Sequence, residues 1–331
     1  MDEEIYNLKP ARNTFSRIGL MLCAFFTITT VLQLLWFRVP ALIWGPDNWL
    51  SSSSWGYWLG TFIPMYVIAL PLAMLILLGI PARKPEENKL GAKGFLRFLP
   101  IVFFMMYSGN LVGTFLSLLL SGGTAENQIA ELAMDNNPLK IVVMVILAPV
   151  MEEFVFRKLI IDRTARYGEK VAVFLSALTF GLFHMNLFQF FYAFGIGLVL
   201  GYLYVRTGRL RYTVLIHLIV NFMGAVIAPL VLTLLDMDAL TALEAATTTE
   251  ELLSIYRQLL PGLLVLVVYS QLLLGLSVAG LVLLIVTCRR LVWKSAESPL
   301  PKGARFKAVY LNIGMILFVI LCLVFMVLSL I

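Results

Sequence analysis

Long apolar runs separated by short polar segments form the main pattern of this chain. Most of the runs hold about 20 residues or more, which as an α-helix is enough to cross a hydrocarbon core of about 30 Å. They lie at 18–37, 55–80, 98–120, 139–161, 171–206 (two short legs), 212–235, 262–286 and 309–331. The pattern therefore predicts an all-α, polytopic transmembrane helix bundle with about nine spans.

Composition and charge agree with a membrane protein. Hydrophobic residues make up 60% of the chain and charged residues 13%, against about 25% charged in an average soluble domain. The net charge of +6 comes from basic residues spread among short loops, so we expect the lipid bilayer, and no nucleic acid, as the partner. Cys23, Cys288 and Cys322 all fall within apolar runs, which predicts neither disulfides nor a cysteine metal site.

Loops rich in Lys and Arg alternate with loops that have few. Basic residues concentrate in 81–97, 162–170, 206–211 and 289–307, whereas 121–138 contains none. Because short basic loops stay on the inner side of a membrane, the pattern predicts a cytoplasmic N-terminus and an outer C-terminus. We expect a multi-pass protein of a bacterial cell membrane.

Two adjacent carboxylates, Glu152 and Glu153, interrupt the apolar run 139–161 together with Arg157. A charged side chain near the bilayer centre costs roughly 2.5 to 3.5 kcal/mol, so these groups need polar partners inside the membrane. Glu153 and Arg157 stand at i and i+4, which predicts an ion pair along one helix face. Glu152 points about 100° away around the helix, and its partner must come from another helix.

The two histidines of the chain, His184 and His217, both lie in the spans that follow the glutamates. One intramembrane histidine is commonly a core residue, but two beside a glutamate pair favour a functional site. Phe180 stands four residues before His184, and Asn221 four residues after His217, so each pair shares a helix face. A carboxylate base with imidazole and carboxamide donors suits peptide hydrolysis, because the base takes a proton from water and the donors hold the oxyanion.

Three short motifs follow one another along the chain: Glu152-Glu153-x-x-x-Arg157, Phe180-x-x-x-His184 and His217-x-x-x-Asn221. In order and spacing this set resembles the motifs of the CPBP family, the CAAX-processing and bacteriocin-processing intramembrane proteases, also called Abi. The family includes the type II CAAX prenyl endopeptidases. The resemblance covers about 148–222 and implies an intramembrane endopeptidase that acts on a membrane-associated substrate, either a prenylated protein or a peptide precursor.

The resemblance also implies roles for individual residues. Glu152 would activate the water together with His184, and His217 and Asn221 would stabilise the oxyanion. Glu153 belongs to the catalytic set by its position. The supporting residues are Arg157 and Phe180.

The sequence leaves the presence of a metal open. Glu152, His184 and His217 could bind zinc, although their arrangement is not the H-E-x-x-H pattern, and a metal-free glutamate mechanism needs the same residues. We expect one transmembrane domain over 1–331 with a catalytic core at 139–235.

Two other classes of function compete with a protease. A non-catalytic scaffold or immunity factor of the same family would keep the fold and lose turnover. A proton-coupled transporter would show repeated halves, and none is visible.

Two local patterns predict structure alone. Thr248 followed by Glu251 is a capping box ahead of a short amphipathic surface helix. Gly197 and Gly201, four residues apart, predict a helix that packs closely against a neighbour.

Overall fold

The computed structural model describes residues 8–331, apart from the side chain of Glu244, and this part of the chain is helical without strands. The predicted all-α class is confirmed. Residues 1–7, which include the predicted cytoplasmic N-terminus, lie outside the described residues. In chain order the main helices are α1 (Lys9–Trp44), α2 (Ser54–Leu77), α3 (Ala92–Leu120), α4 (138–167), α5 (Glu169–Phe183), α6 (Leu187–Thr207), α7 (Leu210–Thr233), α8 (Thr249–Cys288), α9 (Lys302–Val309) and α10 (Ile313–Leu328). Short helices at Trp49–Ser52, Gln128–Ala133 and Met237–Ala245 lie in connecting loops.

Six helices within residues 8–331 are long and apolar enough to cross a membrane, and α9 with α10, bent by 59°, makes a seventh candidate. The other two predicted spans correspond to α4, which carries the charged stretch, and α5. With 15 residues, α5 is about 22 Å long and falls short of a full crossing. The predicted count of about nine is compatible with this arrangement, and the chain is an integral membrane protein.

Widened π-helical turns interrupt three of the helices. In α4 they span Ile141–Leu147 and Phe154–Ile161, on either side of the α-helical segment Ala148–Glu153 that carries both glutamates. One more lies in α7 at Met223–Ile227 and one in α2 at Ile63–Ala69. Such turns re-aim the side chains around them and are frequent at functional sites.

The hairpin of α5 and α6 depends on glycine at the helix contact. A Cβ added to Gly197 would lie 2.9 Å from Ala177 Cα, and one added to Gly201 would lie 3.1 Å from Val173 Cγ1. The predicted close packing is confirmed, and it holds the middle of α5 against α6.

An aromatic cluster joins α1, α2, α4 and α5 beside the glutamates. Ring centroids are 5.1 Å apart for Phe25 and Phe183, 5.1 Å for Phe156 and Phe180, and 6.2 Å for Phe25 and Tyr66. All but the half-buried Phe183 are buried. This packing holds the rings of Tyr66 and Phe180 in place.

The capping box at Thr248 and Glu251 is confirmed, but the predicted short surface helix is wrong. The helix continues without a break through Pro261 to Cys288 as α8. The residues after Pro261 are mostly apolar, and in lipid their backbone groups have no water to bond to, so they remain helical despite the proline.

Candidate active site

Glu153 and Arg157 form a buried ion pair on α4. Arg157 Nε lies 3.0 Å from Glu153 Oε2, and Arg157 Nη2 donates to Glu153 Oε1 at 3.1 Å, with both side chains 0% exposed. Arg157 Nη1 also donates to Ser176 Oγ at 3.2 Å, and its guanidinium lies 5.0 Å from the centre of the Phe180 ring. The predicted i, i+4 pairing is confirmed, and Glu153 is thereby neutralised within the protein.

His217 is oriented by this ion pair. Its Nδ1 lies 3.0 Å from Glu153 Oε1. A carboxylate paired with arginine only accepts hydrogen bonds, so Nδ1 carries the hydrogen and donates it. The other ring nitrogen, Nε2, lies 3.6 Å from Glu152 Oε2, which is beyond hydrogen-bond length.

Glu152 is the more accessible of the two carboxylates, with its side chain 20% exposed. Its Oε1 accepts a hydrogen bond from the Tyr66 hydroxyl at 3.5 Å. The partner that Glu152 needs from another helix is therefore supplied twice, by His217 on α7 and by Tyr66 on α2. No sequence pattern pointed to Tyr66, because it lies in a span without a motif.

His184 follows the last residue of α5 and lies in the turn to α6. Its Nδ1 is 2.8 Å from the carbonyl oxygen of Phe180. Since a carbonyl only accepts, Nδ1 carries the hydrogen, and Nε2 of the neutral ring is an acceptor. The Phe180 ring meets His184 edge-on at 5.0 Å and His217 at 5.7 Å, so it contacts both imidazoles.

Asn221 contacts α4 about two turns before the glutamates. Its Nδ2 donates to the carbonyl oxygen of Met144 at 2.8 Å. Met144 belongs to the π-helical turn Ile141–Leu147, where backbone carbonyls leave the regular α-helical pattern. The carboxamide has two donor hydrogens, and this bond uses one of them.

Six of the seven predicted site residues form one continuous series of contacts. The series runs from Glu152 through His217, Glu153, Arg157 and Phe180 to His184. Asn221 is outside this series and is connected to α4 by its hydrogen bond to the Met144 carbonyl oxygen. The catalytic roles of these residues remain predictions.

The arrangement does not form a metal centre. Within residues 8–331, no three His, Cys, Asp or Glu side chains converge on a point where they could hold a metal ion. Glu152, His184 and His217 therefore do not make a ligand group in this geometry, although each histidine has its Nδ1 hydrogen engaged in the manner of a metal-binding histidine.

A polar chain on α6, absent from the predicted site, extends from the His184 turn. Asn186 Nδ2 donates to His184 O and to Gln189 Oε1, both at 2.8 Å, and Gln189 Nε2 donates to the Tyr192 hydroxyl at 2.9 Å. Asn186 also caps α6 by accepting from the backbone of Gln189. The sequence feature that could have indicated this polar chain is the presence of the polar residues Asn186 and Gln189 at the tip of an otherwise apolar hairpin.

The fold and this site define a class: an integral membrane helix bundle that encloses a carboxylate–imidazole cluster within its helices. A family model described as type II CAAX prenyl endopeptidase Rce1-like matches residues 135–223, the segment that contains all seven predicted site residues. This match and the similarity to a curated relative support the resemblance to the CPBP family of CAAX-type membrane proteases that the three motifs indicated.

Among curated proteins, the chain is similar to the putative membrane peptidase YdiL of Bacillus subtilis (strain 168). The two are 28% identical over 165 residues, and the match covers 47% of this chain and 66% of the relative. No solved structure matches the chain.

Proposed function

We propose that this protein is a membrane-embedded endopeptidase in which Glu152 activates water against a peptide bond. The difference between the two adjacent glutamates carries the proposal. Glu153 is 0% exposed and committed to Arg157 and His217, whereas Glu152 is 20% exposed and faces His217 Nε2 across 3.6 Å. Glu152 is therefore the carboxylate that is available to take a proton.

The charges of the cluster fit this division of roles. The negative charge of Glu153 balances the positive charge of Arg157, and the negative charge of Glu152 would balance that of a protonated His217. Because His217 Nδ1–H donates to Glu153, the ring must carry a second hydrogen on Nε2 to act as a donor there. Glu153 then orients and stabilises the imidazolium, as the aspartate does in a Ser-His-Asp triad.

The reaction needs only these side chains. Glu152 takes one proton from the water while the water oxygen bonds to the carbonyl carbon, and the hydrogen that stays on this oxygen donates a hydrogen bond to His184 Nε2. The oxyanion receives hydrogen bonds from His217 Nε2–H and from the second amide hydrogen of Asn221. The C–N bond then breaks as Glu152 returns its proton to the leaving amine, which gives a free acid and a free amine.

The substrate we propose is a peptide or protein held at the membrane. It is either prenylated or non-prenylated. The matched family model is described as a prenyl endopeptidase, which favours a prenylated cysteine near the scissile bond. The relative is described only as a membrane peptidase, which leaves an apolar, non-prenylated precursor as the other kind. Both would reach an intramembrane site by lateral movement in the bilayer.

The test uses purified protein in liposomes with a quenched fluorescent peptide in two forms, one farnesylated on a cysteine and one anchored by an acyl chain. Glu152→Gln should lower cleavage by about 10²- to 10⁴-fold, the usual cost of losing a general base. The matched control is Glu250→Gln at an exposed carboxylate in the first turn of α8, which should cleave like the wild type.

Cleavage that survives Glu152→Gln would contradict the proposal. Mass spectrometry of cells that carry Glu152→Gln covers substrates outside the peptide pair. If no peptide is cleaved in liposomes and none accumulates in those cells, the non-catalytic scaffold becomes the better description.

We also propose that the face formed by 81–91, 208–209 and 289–301 lies in the cytoplasm of a bacterial cell. Ion pairs such as Arg209 with Glu87 join these segments, and the segments are rich in basic residues. Cys288, exposed at the end of α8 near this face, provides the test. An impermeant maleimide should label it only after cells are permeabilised. Labelling in intact cells would show that the protein has the opposite orientation.

A further inference from the structure

Tyr66 brings a buried hydroxyl to the site from outside the family match at 135–223. The residue is 5% exposed, and its ring packs 6.2 Å from Phe25 and 5.5 Å from Phe62. Within the described residues, the hydrogen-bond partner of the hydroxyl is Glu152 Oε1 at 3.5 Å. A buried hydroxyl left without a partner costs about 1 to 3 kcal/mol, so the O–H is directed at this carboxylate.

The backbone of α2 orients the Tyr66 side chain toward the site. Tyr66 lies in the middle of the π-helical turn Ile63–Ala69, and a second contact holds α2 against the segment that leads into α4. Trp58 Nε1 donates to Asp135 Oδ2 at 2.7 Å, and Ser54 Oγ donates to the same oxygen at 2.6 Å. The position of Tyr66 relative to α4 is therefore fixed at two points.

The two oxygens of Glu152 have different neighbours as a result. Oε1 faces the Tyr66 hydroxyl, and Oε2 faces His217 Nε2 at 3.6 Å. A glutamate side chain held in one rotamer gives up roughly 1.5 to 2 kcal/mol of conformational entropy, so an ordered base needs contacts that hold it.

We infer that Tyr66 is a positioning residue for the base: its hydroxyl holds Oε1 and leaves Oε2 as the atom that takes the water proton. The inference rests on the proposed function of Glu152. A separation of 3.5 Å is long for a hydrogen bond, and catalytic hydrogen bonds commonly shorten when substrate binds. The role of Tyr66 is to keep Oε2 at reacting distance during turnover.

The test is Tyr66→Phe, which keeps the ring packing and removes the hydroxyl. A misplaced reacting group costs up to about 100-fold, so kcat should fall about 10- to 100-fold while KM stays unchanged. Tyr167→Phe is the matched control, because Tyr167 is also buried, 4% exposed, and its hydroxyl bonds Thr14 Oγ1 at 3.4 Å, away from the glutamates. That variant should keep the wild-type kcat.

Infrared spectroscopy gives a readout that does not depend on cleavage. The carboxylate band that disappears in Glu152→Gln should shift in Tyr66→Phe and stay in place in Tyr167→Phe. If Tyr66→Phe does not fold, 3-fluorotyrosine at position 66 keeps the packing and strengthens the donor, and it should shift the same band.

The outcomes separate the two proposals. Cleavage that depends on Glu152 but is unaffected by Tyr66→Phe, or an unmoved carboxylate band, overturns the role of Tyr66 and leaves the proposed function standing. Absence of Glu152-dependent cleavage together with a shifted band overturns the proposed function and shows that the Tyr66 contact exists without the reaction. A changed KM with unchanged kcat would also overturn the inference, because it would place Tyr66 in substrate binding.

Discussion

His217 Nδ1 donates to Glu153 Oε1 across 3.0 Å, so the carboxylate that neutralises Arg157 also sets the orientation of the imidazole. This contact gives the two adjacent glutamates different tasks. Glu153 organises the buried charges, and Glu152 remains for chemistry. The difference can be measured, because one residue should control stability and the other activity.

Glu153→Gln should lower the free energy of unfolding by about 3 to 5 kcal/mol, since it leaves Arg157 as an unpaired buried charge. Glu152→Gln should leave stability close to the wild type, because Glu152 is partly exposed and its contacts to His217 and Tyr66 are long, at 3.6 and 3.5 Å. Unfolding of the purified variants in detergent measures both. An equal loss in the two variants would contradict the division of tasks.

Asn221→Ala should lower both stability and activity. It removes the bond to Met144 O and leaves a carbonyl of the π-helical turn without its partner, at about 1 to 3 kcal/mol. The loss of an oxyanion donor should lower kcat by about 10²- to 10³-fold. The control is Asn110→Ala at an exposed amide of α3, which should change neither quantity. A stable but inactive Asn221→Ala protein would show that the Met144 contact contributes little.

Metal content separates the metal-free mechanism from a zinc mechanism. Because the candidate ligands do not converge, we expect substoichiometric zinc in the purified wild type, no inactivation by chelators, and the same metal content in His217→Ala. Elemental analysis and chelator titration provide the measurement. Stoichiometric zinc that disappears in His217→Ala, with inactivation by chelator, would contradict the mechanism proposed for Glu152.

The loop before α4 should make stability sensitive to acid. The hydrogen bond from the Ser54 hydroxyl, followed by bonds from the backbone of Asn137 and from Trp58, holds the pKa of Asp135 below its usual range. Since the folded state binds this proton less readily than the unfolded state, the stabilisation is complete above an unfolded pKa of about 3.9 and is lost as the pH falls through the lower folded value.

The measurement compares the free energy of unfolding of the wild type and Asp135→Asn between pH 7 and pH 3. The advantage of the wild type should be constant from pH 7 to about pH 5 and should shrink below about pH 4. An advantage that grows on acidification would show that the folded pKa of Asp135 is raised.

Spacing along single helices made part of this site predictable. The Glu153–Arg157 pair follows from the i, i+4 rule, and the charge of Glu152 in an apolar run required a partner from another helix. The contact with Tyr66 joins residues 86 positions apart on helices whose packing no pattern specifies. The hydrogen on His184 Nδ1 depends on the Phe180 carbonyl, which the end of α5 makes available.

The π-helical turns are the other part that the sequence did not predict. A period of 3.6 residues describes hydrophobic faces well over a few turns, but each widened turn shifts every later residue around the axis. The turns at Ile141–Leu147 and Phe154–Ile161 therefore change which faces of α4 meet α2 and α7. The pattern of apolar runs tolerates such shifts, and for that reason the spans were predictable while their facing directions were not.

Because of the two widened turns, the function of the site also depends on the exact number of residues in α4. Just before its start, the helix is attached to α2 through Asp135, which accepts from Trp58 Nε1. Near its end it is attached to α6 through Asp162, which accepts from the Tyr204 hydroxyl at 2.9 Å. Loss of one residue between these anchors would turn one flank about 100° and move it about 1.5 Å relative to the other. Glu152 would then leave His217 although every side chain named in the site was still present. A one-residue deletion in this helix is therefore expected to abolish the reaction as completely as replacing the base, and relatives that keep the chemistry should align across it without gaps.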